Sequence, residues 1–278
     1  EKGYGVSWLS RSASRKTSFR VFHWDPGKGT IEKGAVEKVR HIINLSGTNL
    51  GEKRWTEERK KKIVDSRVKG ANLLFNELKR KPHQVKSYIS ASGISYYGNM
   101  EDEWLNEEFP PANDFLGRCV RDWEKAARQM MLLNIRTVRI RTGLVLSDKG
   151  GALPKIAAPV RAGFGAALGS GRQWVSWIHL DDICRLYIRA LENNSMEGAY
   201  NGAAPHPVTN TQLTAELARA LGKPLWLPNV PAFALKAVFG EMSRTVLDST
   251  RASANKILKT GFRFSFEEIR PALEEIYG

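Results

Sequence analysis

Several residue types and patterns that mark whole classes of protein are scarce or missing in this chain. Its 278 residues include only two cysteines, Cys119 and Cys184. Two cysteines cannot form a disulfide framework, so a reducing, cytoplasmic compartment is expected. No apolar run approaches the roughly 18 residues that a membrane-spanning helix needs. The sequence therefore excludes a disulfide-stapled scaffold and predicts no membrane partner.

Two common kinds of catalytic centre are also missing. The five histidines are scattered, and neither cysteine has a partner at metal-ligand spacing, so no metal site is predicted. No Gly-x-Ser-x-Gly turn is present, which excludes the serine nucleophile of the α/β-hydrolases. The run from His179 to Asp182 could serve acid–base chemistry. Its place between a strand and a helix favours helix capping and the joining of two lobes.

Acidic residues are scarce in the first third of the chain. Residues 1–90 hold 21 Lys and Arg against 9 Asp and Glu, a net +12, whereas the other residues hold 22 against 20. Such a segment is typical of nucleic-acid binding, or of solvated helix faces beside a phosphate pocket. The run Arg59–Lys62 follows Glu57 and Glu58 in a helical stretch and has no aromatic stacking residues near it. This pattern favours a solvated face and no nucleic-acid partner.

Short apolar segments alternate with helical ones, which predicts an α/β fold with a doubly wound parallel sheet. The predicted strands are Val6–Ser10, Ser18–Trp24, His41–Leu45, Ser87–Ser90 and Thr137–Leu146, and the predicted helices are Thr56–Leu78 and Asp114–Leu133. The strand at Ile42 and Ile43 is apolar on both faces, as expected for a sheet covered on both sides.

The pattern changes after Ser147, where glycines and further helices indicate a smaller, α-rich lobe. We expect residues 1–150 to form a dinucleotide-binding domain and residues 151–278 to form this C-terminal lobe. Its predicted helices are Asp182–Leu191, Asn210–Leu221, Pro231–Phe239, Thr250–Lys259 and Phe266–Ile276. Capping boxes are predicted at Thr209 with Gln212 and at Ser265 with Glu268.

Small and polar residues follow the predicted strands, where an open parallel sheet binds its ligands. These segments are Ser10–Ser12, Leu45–Gly47, Ser90–Gly93 and Arg141–Gly143. An acidic residue after the second strand would accept a hydrogen bond from a ribose 2′-hydroxyl, whereas Arg11 suits a 2′-phosphate. The sequence therefore favours NADP over NAD as cofactor.

Several longer motifs resemble the epimerase family of atypical, extended-type short-chain dehydrogenases/reductases. They are Asn44–Gly47, Lys53–Thr56, Ser66-Arg67, Tyr96–Gly98, Glu107–Pro111, Asp122–Glu124, Arg141–Leu146, Gly150-Gly151 and Gly169–His179. The resemblance runs along the whole chain.

This resemblance implies a Rossmann fold with a C-terminal substrate lobe and a nicotinamide dinucleotide in the cleft between them. The cofactor-binding residues it implies are Ser10, Arg11, Leu45, Ser46, Lys62, Arg67 and Val145. Family chains begin with a strand, a glycine-rich turn and a helix. No residue here matches that turn, and Glu1-Lys2-Gly3 has the pattern of a helix end, so we expect those elements to precede the given chain.

The catalytic residues depart from the wider group, which uses a serine and a Tyr-x-x-x-Lys pair. Phe115 and Cys119 stand where the tyrosine and lysine are expected, and cysteine there is typical of the atypical branch. Ser92 is retained. Tyr96 or Tyr97 could donate a proton in place of the missing tyrosine, or both could shape the pocket. We take Ser92 and Tyr97 as the catalytic candidates.

The resemblance implies an NADP-dependent nucleoside-diphosphate-sugar epimerase or oxidoreductase, with a small-molecule substrate such as a nucleotide sugar. The alternative is a catalytically silent protein that binds NADP(H) as a sensor or interaction partner. Family members often pair through helices that include the one carrying Phe115–Cys119, so a homodimer is an expectation as well.

Overall fold

The computed structural model of the chain describes residues 3–12 and 17–278, so the predicted helix end at Glu1 and Lys2 lies outside the described residues. Its strands are β1 (Ser7–Ser10), β2 (Arg20–Asp25), β3 (Thr30–Ile31), β4 (His41–Asn44), β5 (Ser87–Gly93), β6 (Trp104–Leu105), β7 (Arg136–Thr142), β8 (Leu144–Leu146), β9 (Trp174–Val175), β10 (Trp177–His179), β11 (Gly198–Gly202), β12 (Val208–Thr209) and β13 (Arg251–Ala252). The central sheet is parallel, with the spatial order β11-β7-β5-β4.

The helices of the described residues are α1 (Glu57–Arg80), α2 (Phe115–Arg128), α3 (Leu153–Arg161), α4 (Leu180–Glu192), α5 (Asn210–Ala220), α6 (Ala232–Phe239), α7 (Arg244–Leu247), α8 (Asn255–Leu258) and α9 (Ile269–Tyr277). Of these, α1, α2 and α4 cover the two faces of the central sheet. Helices α1 and α2 pack on one face with Leu74, Tyr88 and Ala127 in their core. Helix α4 packs on the other face, where Leu186 meets Ile140. This arrangement confirms the predicted α/β fold.

A smaller sheet with the order β1-β2-β3 lies beside the central one. Strands β1 and β2 are parallel, and Ser10, the last residue of β1, lies beside His23, two residues before β2 ends. Leu9 and Trp24 share an apolar core with Ile42 of β4. No backbone pairing joins the two sheets within residues 3–12 and 17–278.

The C-terminal part has its own apolar core, and the chain also returns to the central sheet. Leu153 of α3, Leu213 of α5 and Leu273 of α9 are fully or almost fully buried together. Strand β11 lies beyond residue 150 but pairs with β7, and α4 covers the same sheet. The division of the chain at residue 150 stays a prediction.

Two predicted elements differ from the structure. The predicted strand Thr137–Leu146 is two strands, because β8 leaves the central sheet and pairs with β10. The predicted helix Thr250–Lys259 is only the four residues of α8, because Arg251 and Ala252 pair with β6. Long-range pairing divides the predicted strand in the first case and overrides local helix preference in the second.

Of the two predicted capping boxes, the structure confirms one and shows that the other is wrong. Thr209 and Gln212 form the predicted capping box at the start of α5. Ser265 does not cap a helix, because α9 begins only at Ile269 and the Ser265 amide donates to Asp182. His179 is the N-cap of α4, and the amides of Ser265 and Phe266 both bind the Asp182 carboxylate. The interpretation of this run as a helix-capping feature is confirmed, and the joining of two lobes stays a prediction.

None of the helices in the described part of the chain is both long and apolar enough to cross a membrane.

Candidate active site

The loop after β4 is held in place by two arginines of α1. Arg67 is buried and donates from Nη1 to the Ile63 carbonyl (3.0 Å) and from Nη2 to the Thr48 carbonyl (3.2 Å). A Cβ at Gly47 would lie 3.2 Å from the Arg67 guanidinium carbon, so a glycine lets the loop lie against this plane. Since its donors bind backbone carbonyls, Arg67 positions the loop that carries Leu45 and Ser46.

Arg59 holds the next part of this loop in place. Its burial shows that the prediction of a wholly solvated basic face is wrong at this residue. It is 8% exposed and donates to Glu52 (3.0 Å) as well as to the Asn49 carbonyl. Lys61 and Lys62 are exposed, as that prediction required. The basic run is therefore partly a clamp on the loop that continues from β4.

The other cofactor candidates lie at or near the carboxyl edge. Ser10 ends β1, and Arg11 follows it with an exposed side chain. Leu45 is 64% exposed, whereas the Oγ of Ser46 is buried and has no hydrogen-bond partner. Val145, on β8, packs against the core between the sheet and α4. The structure thus places Ser10, Arg11 and Leu45 at strand ends with exposed or half-buried side chains, and Val145 in the adjoining core.

A buried ion pair lies under the end of β5. Register pairs Ser92 of β5 with Arg141 of β7, and Glu124 of α2 lies over both. Ser92 Oγ donates to Glu124 Oε1 (2.8 Å), while Arg141 donates from Nε and Nη2 to the two Glu124 oxygens (2.8 and 3.1 Å). Both charged side chains are 4% exposed. The hydroxyl of Ser92 is thus oriented by a buried bidentate salt bridge.

Tyr97 belongs to the same network. Arg141 Nη1 donates to the Tyr97 hydroxyl (3.0 Å), which donates to Asn201 Oδ1 (2.7 Å). Asn201 Nδ2 donates to the carbonyls of Leu105 and Ser253, which fixes the direction of its amide. Ser92 and Tyr97, the two catalytic candidates, are therefore linked through Glu124 and Arg141.

Burial and charge set the protonation states of these groups. Burial alone would raise the pKa of Glu124, but the hydrogen bonds and charge of Arg141 outweigh it, so that pKa lies below its ordinary value. Burial raises the pKa of Tyr97 to about 12 despite the nearby Arg141. At neutral pH the site therefore holds a carboxylate, a guanidinium and a protonated phenol.

The residues at the tyrosine and lysine positions contribute no such groups. Phe115 packs edge-on against Trp55 (ring centroids 5.1 Å apart). Cys119 is 2% exposed, and burial raises the pKa of its thiol to about 11. Phe115 and Cys119 belong to one apolar cluster, which favours the interpretation of Cys119 as an unreactive core thiol.

We expect Cys119 to resist alkylation in the folded protein, because alkylation requires an accessible thiolate. Cys184, whose side chain is exposed, supplies the internal control. With iodoacetamide at mildly alkaline pH, peptide mass spectrometry should show modified Cys184 and unmodified Cys119, and both should react after denaturation. Equal labelling of the two native thiols would contradict the buried assignment.

Arg141 and Glu124 stand in motifs of the sequence that predict no positioning role for them, and Asn201 stands in none of those motifs. A signal for Glu124 was available: residues 116, 120, 123 and 127 form the apolar face of α2, and residue 124 lies on it. A carboxylate at such a position needs a buried cation. Asn201 had no comparable signal, because its partners come from distant parts of the chain.

Among residues 3–12 and 17–278, no group of three or more His, Cys, Asp or Glu side chains could hold a metal ion.

Comparison with known proteins places the chain in one family. The model of the NAD dependent epimerase/dehydratase family matches residues 1–202, and a domain of unknown function (DUF1731) matches residues 230–276. The mouse epimerase family protein SDR39U1 is 36% identical over 281 residues, which cover 99% of this chain and 95% of that protein. The Bacillus subtilis epimerase family protein YfhF is 33% identical, covering 99% and 90%.

Comparison with solved structures supports the same family. The crystal structure of human SDR39U1 (isoform 2) with NADPH has a TM-score of 0.87 and 30% identity, covering 99% of this chain and 91% of that one. A nucleoside-diphosphate sugar epimerase from Corynebacterium glutamicum has a TM-score of 0.75 and 25% identity, covering 98% of this chain and 57% of that one. The chain belongs to the NAD-dependent epimerase/dehydratase family.

Proposed function

We propose that this chain binds NADP(H) along the carboxyl edge of the sheet and acts on a nucleotide sugar as an epimerase or oxidoreductase. The observation that carries the proposal is the set of strand ends at this edge, with Ser92 and its charged network beside them. The relative with bound NADPH, which matches 99% of this chain, supports the same cofactor.

The residues at the edge suit a phosphorylated dinucleotide. Arg11 is exposed, and no carboxylate in the described part of the chain pairs with it, so its guanidinium is available to a 2′-phosphate. Lys62 offers a second exposed cation. Gly47 and the clamp of Arg67 keep the loop after β4 close to α1, which leaves the exposed Leu45 at the edge.

The chemistry divides between the cofactor and the chain. Bound NADP would accept or return a hydride at a sugar carbinol carbon. Ser92 would polarise the substrate oxygen by turning its one hydroxyl proton from Glu124 to the substrate. Tyr97 is the assigned proton donor: it is buried and protonated at neutral pH, and it would exchange its hydrogen bond to Asn201 for one to the substrate. Arg141 donates hydrogen bonds to Glu124, to the Tyr97 hydroxyl and to the Glu107 carbonyl, so its role is to position these groups.

A turnover assay tests this proposal. The chain is incubated with NADP⁺ or NADPH and a panel of nucleoside-diphosphate sugars, and nicotinamide absorbance and product composition are followed. We expect turnover of at least one substrate and a loss of roughly 100-fold in the Ser92→Ala variant. Ser195→Ala, at an exposed serine in a loop, is the matched control and should retain full activity.

The second candidate function is NADP(H) binding without catalysis. Phe115 and Cys119, packed in an apolar cluster where the usual tyrosine and lysine are expected, favour it. NADPH binding with no turnover across the panel would support this function and contradict the first. Pairing of two copies through α2 and a cytoplasmic location stay predictions.

A further inference from the structure

A second, strongly charged cleft lies away from the carboxyl edge. It is a cavity of about 330 Å³ between α2, β7 and the edge strand β11. Its cationic side chains are Arg121, Arg128, Arg139, Arg141 and Lys256, and its acidic ones are Glu107, Glu108 and Glu124. We call it the cationic cleft. Register pairs Arg139 with Ala199, three residues before the strand ends at Thr142 and Gly202, so this end of the cleft lies roughly 10 Å from that edge, whereas Arg141 is one residue from it.

Two of the three carboxylates are already engaged. Glu124 accepts both donors of the Arg141 fork and the hydroxyl of Ser92. Glu107 Oε1 accepts from the Asn201 backbone amide (2.7 Å). Arg121 is paired with Asp122 (3.0 Å), so of the lining carboxylates the exposed Glu108 is left to balance Arg128, Arg139 and Lys256.

The remaining cations are poorly compensated. Arg139 is 12% exposed, its Nη1 lies 3.7 Å from the shared Glu124 carboxylate, and its Nε is buried with no hydrogen-bond partner. No carboxylate in the described ranges lies within ion-pair distance of Arg128. Burial, together with neighbouring arginines, lowers the pKa of both Arg139 and Lys256. Glu124 opposes this lowering of the pKa at Arg139, and Glu107 and Glu108 oppose it at Lys256, so the positive charge of the cleft is only partly compensated.

Two of these cations converge on an open point above Gly198. A Cβ placed on Gly198 would lie 3.7 Å from Arg139 Nη2 and 3.9 Å from Lys256 Nζ. Lys256 is held there by a hydrogen bond to the Ala199 carbonyl (2.7 Å). A glycine at this position leaves room for ligand oxygens between a guanidinium and an ammonium group.

We propose that the cationic cleft binds the phosphoryl group of a small molecule, separately from the cofactor. A phosphate presents several oxygens, which match a guanidinium fork and an ammonium point charge at the same time. The cavity volume is at the lower end of the range for small-molecule sites. Glu124 lines the cleft and also orients Ser92, so only the Glu124 side chain would separate the bound phosphate from the candidate catalytic serine.

The test is calorimetric titration of the full chain with inorganic phosphate, and with succinate as a dicarboxylate of similar charge. We expect saturable phosphate binding, at least tenfold weaker in Arg139→Gln and several-fold weaker in Arg128→Gln, with succinate binding much more weakly. Arg128 is exposed, so its variant keeps the test valid if Arg139→Gln unfolds. Lys125→Gln, an exposed cation of α2 outside the cleft, is the matched control and should bind like the parent.

Any of the following results would overturn the proposal. One is the absence of saturable phosphate binding, or equal affinity in Lys125→Gln and Arg128→Gln. Another is succinate binding as tight as phosphate, which would assign the cleft to carboxylates. The last is loss of the phosphate signal in Arg11→Ala, which would move the binding event to the cofactor edge.

Discussion

Replacing Glu124 with glutamine is expected to lower the free energy of unfolding by about 3 kcal/mol or more. The substitution keeps the shape of the side chain and removes its charge, which leaves the guanidinium of Arg141 buried at 4% exposure without a counter-ion. Truncating one partner of a buried pair costs far more than the pair contributes, because the other charge stays desolvated. Chemical denaturation followed by circular dichroism measures the change.

Glu103→Gln is the matched control, because Glu103 is exposed and no contact of its side chain is seen in the described residues. It should change the free energy of unfolding by less than about 0.5 kcal/mol. The effect of Glu124→Gln should also depend on pH. Since the folded pKa of Glu124 is depressed, its contribution is complete above the unfolded value and is lost as the pH falls through the folded one. Equal stabilities of the two variants at neutral pH would contradict the buried pair.

Arg11→Ala is expected to weaken NADPH binding roughly 10- to 100-fold while changing NADH binding little. A charge-assisted hydrogen bond contributes about 1.5–3 kcal/mol, and about 1.4 kcal/mol corresponds to a factor of ten in affinity. NADH lacks the 2′-phosphate, so its affinity does not depend on a hydrogen bond to this side chain. Fluorescence titration of both dinucleotides against parent and variant gives the ratio.

Arg40→Ala controls for the general loss of positive charge from the first third of the chain. Arg40 is exposed and precedes β4, so it lies at the opposite edge of the sheet from the strand ends. It should bind both dinucleotides like the parent. An equal loss of NADPH and NADH affinity in Arg11→Ala would refute the assignment of Arg11 to the 2′-phosphate.

The sequence predicts local features of this molecule well. Thr209 and Gln212 cap α5 because capping depends on residues three positions apart, and the alternation of apolar strands with helices predicts a parallel sheet. The sequence does not predict secondary structure that depends on contacts between distant segments. Arg251 and Ala252 form a strand only because β6 is beside them, and residues around Asn255 then have room for one helical turn.

The candidate site shows the same division. The position of Ser92 at a strand end can be predicted from the sequence. The network that orients its hydroxyl joins α2, β7 and β11, and this network cannot be predicted in the same way. Tyr97 follows Ser92 closely in sequence, whereas its partner Asn201 is 104 residues away. Arg59 belongs to a basic run that resembles a solvated face, and only the loop after β4 explains its burial. Tertiary contacts of this kind leave no periodic signal.

A crystal structure of the chain grown with NADPH would locate the dinucleotide on the sheet. We expect the ribose 2′-phosphate within hydrogen-bond distance of Arg11, with the dinucleotide lying across the ends of β1, β4 and β5 and its nicotinamide on the side of Ser92. Density for the dinucleotide at any other face of the sheet, or a 2′-phosphate away from Arg11, would contradict this expectation.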